Sequence, residues 1–227
     1  MTVKICVSIL PSRIKEAVEL ITKAEKYKPD FIEVRLDLLK EDNSLGEIAE
    51  HADVPLIAAN RAQNCGGKFS GDENQRLRII LNAARNGFEY ADIELSSQKL
   101  KDTVTELRQV NVKPIISFHD FNETPSTPKL RQILKKEIAE GAEICKIVTK
   151  ATKIGDNLTV LNFLLDSSKN AKLVCFAMGP LGKPSRLLSP LFGGFFTIAS
   201  LETSRETASG QVTIKDLRTA YQALGVI

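Results

Sequence analysis

Eight short runs of β-branched and other apolar residues alternate with eight segments that can form helices, along the whole 227-residue chain. The strand-like runs cover residues 3–9, 31–36, 55–60, 90–95, 114–119, 143–149, 172–177 and 195–199. The helical segments cover residues 13–27, 44–50, 73–86, 97–110, 128–140, 157–168, 184–189 and 214–224. Because parallel strands need crossover helices, eight such units predict a parallel sheet covered by helices. We expect this sheet to close into a (β/α)₈ TIM barrel.

An open, doubly wound sheet is the alternative arrangement for alternating strands and helices. Its dinucleotide-binding form has Gly-x-Gly-x-x-Gly after the first strand, where this chain has Ser8-Ile9-Leu10-Pro11. No long linker or change in composition interrupts the alternation. We therefore predict a single α/β domain, a closed barrel over residues 1–227.

The charge pattern argues against two classes of partner. Lysine and arginine number 31, aspartate and glutamate 28, so the formal charge is +3, and the basic residues are spread along the chain. Nothing here calls for a nucleic acid, and no apolar run has the length of a membrane span. Since the N-terminus lacks the pattern of a signal peptide, we expect a cytoplasmic protein.

The four cysteines, Cys6, Cys65, Cys145 and Cys175, show no metal-ligand spacing. Three of them lie inside apolar runs, and we interpret these as reduced, buried side chains. Only Cys65 stands in a loop, beside two glycines. The sequence therefore predicts no metal site.

A lysine stands in the middle of the apolar run Ile144-Cys145-Lys146-Ile147-Val148. Burial disfavours the ammonium form, so we expect these surroundings to lower the pKa of the Lys146 amine. A neutral amine is a nucleophile toward carbonyl carbons. The alternative is that Lys146 extends to the barrel rim, as strand lysines often do.

Other polar side chains fall at or near the carboxyl ends of the predicted strands, where barrels of this kind carry their chemistry. They are Ser8, Glu33, Arg35, Asp37, Asn60, Arg61, Asp92, Glu94, His119 and Asp120. His119, one strand before Lys146, would supply proton transfer, although a lone histidine is more often structural.

Two groups of charged residues allow more than one interpretation. Glu33, Arg35 and Asp37 share one strand face, and an ion network that satisfies itself would explain them equally well. Arg61 and Arg186, which we expect at the rim, would clamp a substrate carboxylate through paired hydrogen bonds. Each arginine alone would fit an ordinary surface position.

The motifs, taken in order, resemble those of the type I 3-dehydroquinate dehydratases. The matching pieces are Glu33-Val34-Arg35-Leu36-Asp37, Arg61 before Gly66-Gly67, Ala91-Asp92-Ile93-Glu94-Leu95, Ser117-Phe118-His119-Asp120-Phe121, Thr124-Pro125, Cys145-Lys146-Ile147, Met178-Gly179, Ser185-Arg186 and Gly210-Gln211. The resemblance runs from Ser8 to the C-terminus. Any single piece is weak, whereas the ordered set is specific.

This resemblance implies a (β/α)₈ barrel that converts 3-dehydroquinate to 3-dehydroshikimate in the shikimate pathway, without a metal or organic cofactor. It implies that Lys146 forms a Schiff base with the substrate and that His119 is the general acid and base. It assigns substrate binding to Ser8, Glu33, Arg35, Arg61, Arg186, Thr207 and Gln211. Because family members are often dimers, it also implies a homodimer.

The chain departs from the family pattern at two places. Cys65 stands where a glutamate near the histidine is usual; we interpret it as an inert thiol, and a thiolate that partly replaces that glutamate is the alternative. The usual Ser-Ala-Pro-Gly-Gln is Thr207-Ala208-Ser209-Gly210-Gln211 here, which keeps the first hydroxyl. It loses a proline that would stiffen this loop, which we expect to act as a lid.

Two other functions fit part of the pattern. A lysine-imine aldolase would share Lys146, but a phosphate substrate calls for glycine-rich loops after strands seven and eight, and residues 201–207 contain no glycine. A catalytically silent relative that binds a shikimate-type metabolite would explain the missing glutamate. The retained lysine, histidine and two arginines favour the enzyme.

Overall fold

The computed structural model describes residues 3–40 and 44–227. Its strands are β1 (Ile5–Ile9), β2 (Phe31–Arg35), β3 (Leu56–Ala59), β4 (Tyr90–Glu94), β5 (Lys113–His119), β6 (Ile144–Lys150), β7 (Leu173–Met178) and β8 (Thr197–Ser200). Neighbouring strands pair in parallel in the order β7-β6-β5-β4-β3-β2-β1-β8. The Phe195 amide, just before β8, donates to the Leu173 carbonyl of β7 at 2.8 Å and so nearly closes the sheet. The predicted (β/α)₈ barrel is confirmed.

The helices are α1 (Ile14–Glu25), α2 (Leu45–Glu50), α3 (Glu73–Arg85), α4 (Leu100–Gln109), α5 (Thr127–Ala139), α6 (Asp156–Ser167), α7 (Lys183–Leu188) and α8 (Ile214–Ala223). The described residues also form three short 3₁₀ turns that the sequence did not predict, at Gln63–Cys65, Pro180–Gly182 and Ser189–Phe192. The predicted ends differ by a few residues, because capping and turn geometry set them rather than hydrophobic periodicity.

The strand β6 shows how the barrel sorts its side chains. Ile144 and Val148 belong to the apolar cluster inside the barrel, whereas Cys145 and Ile147 pack outward with residues of α5 and α6. Successive side chains of a strand point to opposite faces, so Lys146 points inward with the first pair. It is 3% exposed, and therefore does not extend to the rim.

A capping box fixes the start of α3 at the carboxyl end of the barrel. The Asp72 side chain accepts from the Gln75 amide at 2.9 Å, and the Gln75 side chain accepts from the Asp72 amide at 3.1 Å. Two otherwise unpaired backbone donors are thereby satisfied. Arg76 follows directly and is buried.

The described helices include none with the length and apolar character that a membrane span requires. All four cysteines are free thiols, and Cys6, Cys145 and Cys175 are buried, as predicted.

Candidate active site

The Lys146 amine lies among charged side chains at the carboxyl end of the barrel. Its Nζ donates to Glu33 Oε2 at 2.8 Å and to Asp92 Oδ2 at 2.7 Å. These carboxylates belong to β2 and β4, two strands that are distant from β6 in the sequence. The amine is therefore inside the barrel, but its immediate partners are ionic rather than apolar.

The expectation of a lowered lysine pKa is wrong. Burial by itself lowers the pKa of Lys146, but the Asp92 and Glu33 carboxylates raise it, and the net shift is upward. Burial likewise raises the pKa of Glu33, yet the Lys146 ammonium brings it below its ordinary value. The residues next to Lys146 in the sequence are apolar because they pack within β6 and against its neighbours, and they suggested an apolar environment for the amine. The end of the Lys146 side chain instead contacts carboxylates from β2 and β4.

His119 ends β5 and lines the same cavity as Lys146. Burial, together with the positive charges of Arg61 and Lys146, lowers the pKa of His119 well below its ordinary value. The imidazole is therefore neutral at pH 7. Its Nδ1 is buried and has no hydrogen-bond partner among the described residues, and its ring stacks on Phe121 with 5.9 Å between centroids. A neutral imidazole with a free nitrogen can exchange a proton with a bound molecule.

Arg61 lies inside the barrel mouth rather than at an exposed rim. Its NH2 donates to Asp92 Oδ2 at 2.7 Å, and its NH1 donates to Glu94 Oε1 at 3.2 Å and Ser117 Oγ at 2.8 Å. Burial raises the pKa of Asp92, but Arg61 and Lys146 outweigh it and hold that pKa far below its usual range. Asp92 is therefore ionised and joins the arginine to the lysine.

The charged residues of β2 have separate partners. Arg35 and Asp37 form a bidentate salt bridge, with Nε–Oδ1 and NH2–Oδ2 distances of 2.6 and 2.8 Å. Glu33 binds Lys146 and accepts a hydrogen bond from Ser8 Oγ at 2.7 Å. The interpretation as a self-satisfied network therefore applies to Arg35 and Asp37, and not to Glu33.

Arg186 is a buried cation with no carboxylate partner among the described residues. It is 1% exposed, and its NH1 donates to the Ile198 carbonyl at 3.1 Å while the guanidinium lies 4.2 Å from the Phe176 ring centroid. Its Nε and NH2 are buried without partners in the described parts of the chain. Burial lowers the pKa of Arg186 to about 9, so the group is still charged at neutral pH. Such a guanidinium is suited to a ligand carboxylate.

Residues 207–211 cover this group of side chains. Thr207 Oγ1 donates to Ser8 Oγ at 2.7 Å and accepts from Gln211 Nε2 at 3.0 Å. The Ser209 carbonyl accepts from the Gly179 amide at 3.1 Å. The segment is thus held to β1 on one side and to the end of β7 on the other.

The predicted site residues enclose one cavity of about 40 Å³. Its lining includes Glu33, Arg35, Arg61, His119, Lys146, Arg186, Thr207 and Gln211. Ser8 is the one predicted site residue outside this lining, and it lies one hydrogen bond away, behind Glu33. A second, outer cavity of about 540 Å³ is also lined by Arg35 and by residues 207–211. Because residues of this segment line both cavities, the segment separates the inner cavity from the outer one.

Cys65 lines a different cavity, of about 170 Å³, with Glu73, Arg76 and Glu94. Burial and the nearby Glu94 charge raise the pKa of Cys65, so the side chain is a thiol at neutral pH. This agrees with the interpretation of Cys65 as a thiol, and the thiolate alternative is wrong. A Cβ at position 67 would lie 1.8 Å from the Arg61 carbonyl oxygen, which explains a glycine in this loop.

Sequence reasoning did not identify Arg76 and Ser117, which both hold buried carboxylates. Ser117 Oγ donates to Asp92 Oδ1 at 2.6 Å, and Arg76 NH1 donates to Glu94 Oε2 at 2.5 Å. The capping box and the helical period contained the signal for Arg76, because they place position 76 on the buried face of α3 with Leu77 and Ile80. No group of three or more His, Cys, Asp or Glu side chains within residues 3–40 and 44–227 is arranged to hold a metal ion.

Comparison with solved structures supports the fold. The crystal structure of a 3-dehydroquinate dehydratase from Geobacillus kaustophilus superposes with a TM-score of 0.92, at 24% identity over 99% of this chain and 92% of that chain. A 3-dehydroquinate dehydratase from Aquifex aeolicus gives a TM-score of 0.80 at 27% identity, over 97% of this chain and 98% of that chain.

Comparison of sequences supports the family. A 3-dehydroquinate dehydratase from Dehalococcoides mccartyi is 40% identical over 94% of this chain and 93% of its own length. One from Methanococcus maripaludis is 33% identical over 97% of this chain and 100% of its own length. The family model described as type I 3-dehydroquinase matches residues 5–227. The chain therefore belongs to the type I 3-dehydroquinase family.

Proposed function

We propose that this protein is a 3-dehydroquinate dehydratase of the shikimate pathway, which removes water from 3-dehydroquinate through an imine on Lys146. The observation that carries the proposal is a single cavity lined by a lysine amine, a neutral imidazole and a buried guanidinium, in a member of this family. The relatives at 40% and 33% identity carry the same name.

Lys146 must lose a proton before it reacts, because only the neutral amine attacks a ketone. The Glu33 carboxylate, 2.8 Å from Nζ, is placed to take that proton along the existing hydrogen bond. The amine then adds to the ketone carbon. Loss of water from the carbinolamine, with His119 transferring the protons, gives a protonated imine.

The imine nitrogen withdraws electrons, so a proton on the neighbouring carbon becomes acidic enough for the His119 imidazole to remove. The resulting enamine expels the β-hydroxyl, which leaves as water with the proton that His119 has taken. Hydrolysis of the imine releases 3-dehydroshikimate and restores the Lys146 amine. Because the imine is the electron sink, this route needs neither a metal nor an organic cofactor.

The remaining site residues hold the substrate. Arg186 offers two unpartnered nitrogens for the carboxylate, and Arg35, Thr207 and Gln211 line the cavity where the ring and its hydroxyls would bind. The inner cavity of about 40 Å³ is well below the roughly 300 Å³ at which ligand pockets begin. Residues 207–211 must therefore move outward to admit the substrate, and they act as a lid.

The test is incubation of the purified protein with 3-dehydroquinate. We expect turnover, seen as the ultraviolet absorbance of the conjugated product, and a borohydride-stable adduct on the peptide that contains Lys146. An adduct with pyruvate instead would support the aldolase. Binding of 3-dehydroquinate without turnover would support the silent relative, and either result would contradict the proposal.

We propose further that residues 1–227 form one catalytic domain that works in the cytoplasm as a homodimer. Exposed apolar side chains on and just before α6 support the dimer: Leu158 and Leu165 on the helix are 64% and 49% exposed, and Ile154 before it is 65% exposed. Light scattering after gel filtration should give the mass of a dimer for the natural chain and of a monomer for Leu158→Asp. A monomeric natural chain would contradict this part of the proposal.

A further inference from the structure

A chain of alternating charges connects the reactive lysine to the first turn of α3. Its members, in order, are Lys146, Asp92, Arg61, Glu94, Arg76 and Glu73. Successive members are joined by N–O contacts of 2.5 to 3.2 Å. The first five are at most 4% exposed, whereas 31% of the Glu73 side chain is exposed. The chain therefore runs from the buried amine to solvent.

Arg76 is the outermost buried member, and each nitrogen of its guanidinium donates at least one hydrogen bond. Its NH1 donates to Glu94 Oε2 at 2.5 Å and to the Asn60 carbonyl at 2.9 Å. Its Nε and NH2 donate to the two Glu73 oxygens at 2.7 and 2.9 Å. The capping box at the start of α3 holds the backbone from which it extends. The geometry leaves this side chain little freedom.

The charges at the inner end of the chain balance only when Arg76 is included. The buried carboxylates are Glu33, Asp92 and Glu94, and the buried cations that contact them are Lys146, Arg61 and Arg76. Glu94 gives one oxygen to Arg76 and the other to Arg61. Loss of Arg76 would leave one buried negative charge in excess and would make Glu94 compete with Asp92 for Arg61.

We infer that Arg76, oriented by Glu73, is a positioning residue for the reactive amine: it neutralises Glu94 and so keeps Arg61 on Asp92, the carboxylate that holds Lys146. Arg76 does not line the cavity of Lys146, so it acts through the chain rather than on the substrate. The inference rests on the proposed function, because the reactivity of Lys146 is its readout.

The sign of the effect follows from the groups around the amine. They come from successive strands and strand ends, namely Cys6, Glu33, Arg61, Asp92 and His119. Loss of the Arg76 charge makes this environment more negative, which favours the ammonium form and raises the pKa of Lys146 further. The pH at which the amine becomes reactive therefore rises.

The test measures kcat/KM for 3-dehydroquinate and the rate of borohydride trapping as functions of pH. It compares the natural chain with Arg76→Gln, Arg76→Lys and Arg85→Gln, the last being a matched control because Arg85 is on the same helix with its side chain 57% exposed. For Arg76→Gln we expect the ascending limb to move up by about half to one pH unit, a roughly three- to tenfold loss below it. Arg76→Lys should recover part of the shift, and Arg85→Gln should match the natural chain.

An ascending limb of Arg76→Gln that coincides with that of the natural chain overturns the inference. Should Arg76→Gln fail to fold by circular dichroism, Glu73→Gln decides. Glutamine keeps an oxygen that can accept from Arg76, so the guanidinium stays oriented while a partly exposed negative charge is lost from the same chain. The limb should therefore move to lower pH, and an unmoved limb overturns the inference. Absence of turnover and adduct in the natural chain would instead refute the proposed function.

Discussion

At the residue scale, Lys146 is held in place by the same carboxylates that oppose its reaction. Asp92 and Glu33 fix the amine at 2.7 and 2.8 Å, and they also raise its pKa. The neutral fraction is therefore small at neutral pH and increases as the pH rises. We expect imine formation to accelerate with pH for this reason.

Lys146→Ala removes the nucleophile. We expect no borohydride-stable adduct with 3-dehydroquinate and no measurable turnover, as intact mass and the ultraviolet assay will show. Lys150→Ala is the matched control, since this lysine is exposed at the end of the same strand. Substantial activity in Lys146→Ala would exclude the imine mechanism.

His119→Ala removes the neutral imidazole and keeps the amine. The adduct should still form to some extent, while kcat falls by about 10²- to 10⁴-fold, the usual contribution of a general acid–base. His51, which is exposed and bonded to the Glu47 carbonyl, provides the control His51→Ala. Equal losses in both variants would mean that the proton transfer belongs to another group.

Cys65→Glu introduces the carboxylate that the resemblance to the family led us to expect at this position. The new carboxylate would enter the cavity of Glu94 and Arg76, so we expect higher activity or a displaced pH profile. Cys65→Ser, which adds no charge, is the control. A pH profile that matches the natural chain would show that position 65 has no influence on the histidine.

At the element scale, the lid segment depends on a close backbone contact near its end. Gly210 has φ of 77°, and a Cβ there would lie 2.3 Å from the Gly179 carbonyl oxygen. Neither the left-handed backbone nor the contact tolerates a side chain. Residues 207–211 can therefore pack against the end of β7 and cover the inner cavity only with glycine at position 210.

Gly210→Ala should therefore displace the lid, and with it Thr207 and Gln211. We expect kcat/KM to fall by about tenfold or more, since misplacement by about 1 Å can cost a hundredfold. Gly225→Ala is the control, because Gly225 has φ of 66° but open space at its Cβ. If both variants keep full activity, residues 207–211 do not position the substrate.

The sequence patterns predicted the strands and helices better than the side-chain contacts between different strands. Strand and helix identities follow from local periodicity, and the positions of Lys146 and His119 on β6 and β5 follow with them. The Lys146–Glu33 and Lys146–Asp92 pairs span 113 and 54 residues, so no local pattern contains them. The predicted direction of the Lys146 pKa shift was wrong because these two carboxylates could not be anticipated.

At the scale of the whole molecule, one buried carboxyl makes stability depend on pH. Glu137 lies on the apolar face of α5 with Leu130, Ile133 and Leu134, and it is 0% exposed. Neither oxygen forms a well-aligned hydrogen bond among the described residues, although the Cys145 thiol and the Lys146 backbone lie near and slightly favour the charged form. Burial, with a smaller effect of the Asp92 charge, raises its pKa well above the ordinary value.

The folded state therefore holds the Glu137 proton more tightly than the unfolded chain does. Its stabilising effect is complete below the ordinary glutamate pKa of about 4.3 and decreases as the pH rises toward the raised folded value. The glutamine in Glu137→Gln cannot ionise. Between about pH 4.3 and the raised pKa of Glu137, we therefore expect the free energy of unfolding of the variant to decrease less than that of the natural chain, by about 1.4 kcal/mol per pH unit.

Urea unfolding at several pH values measures this difference. Glu106→Gln is the control, since 44% of that side chain is exposed. Parallel curves for the natural chain and Glu137→Gln would mean that Glu137 is not protonated in the fold. The helical period of α5 places position 137 on the same face as Leu130, Ile133 and Leu134, so this buried carboxyl could be predicted from the sequence.

The alternating charges between β6 and α3 have an evolutionary consequence. A substitution that neutralises position 73, 76 or 94 alone disturbs its neighbours, so its effect depends on which residues the other two positions hold. We expect strong epistasis there, and compensated pairs of changes should be tolerated among descendants of this chain where single changes are not.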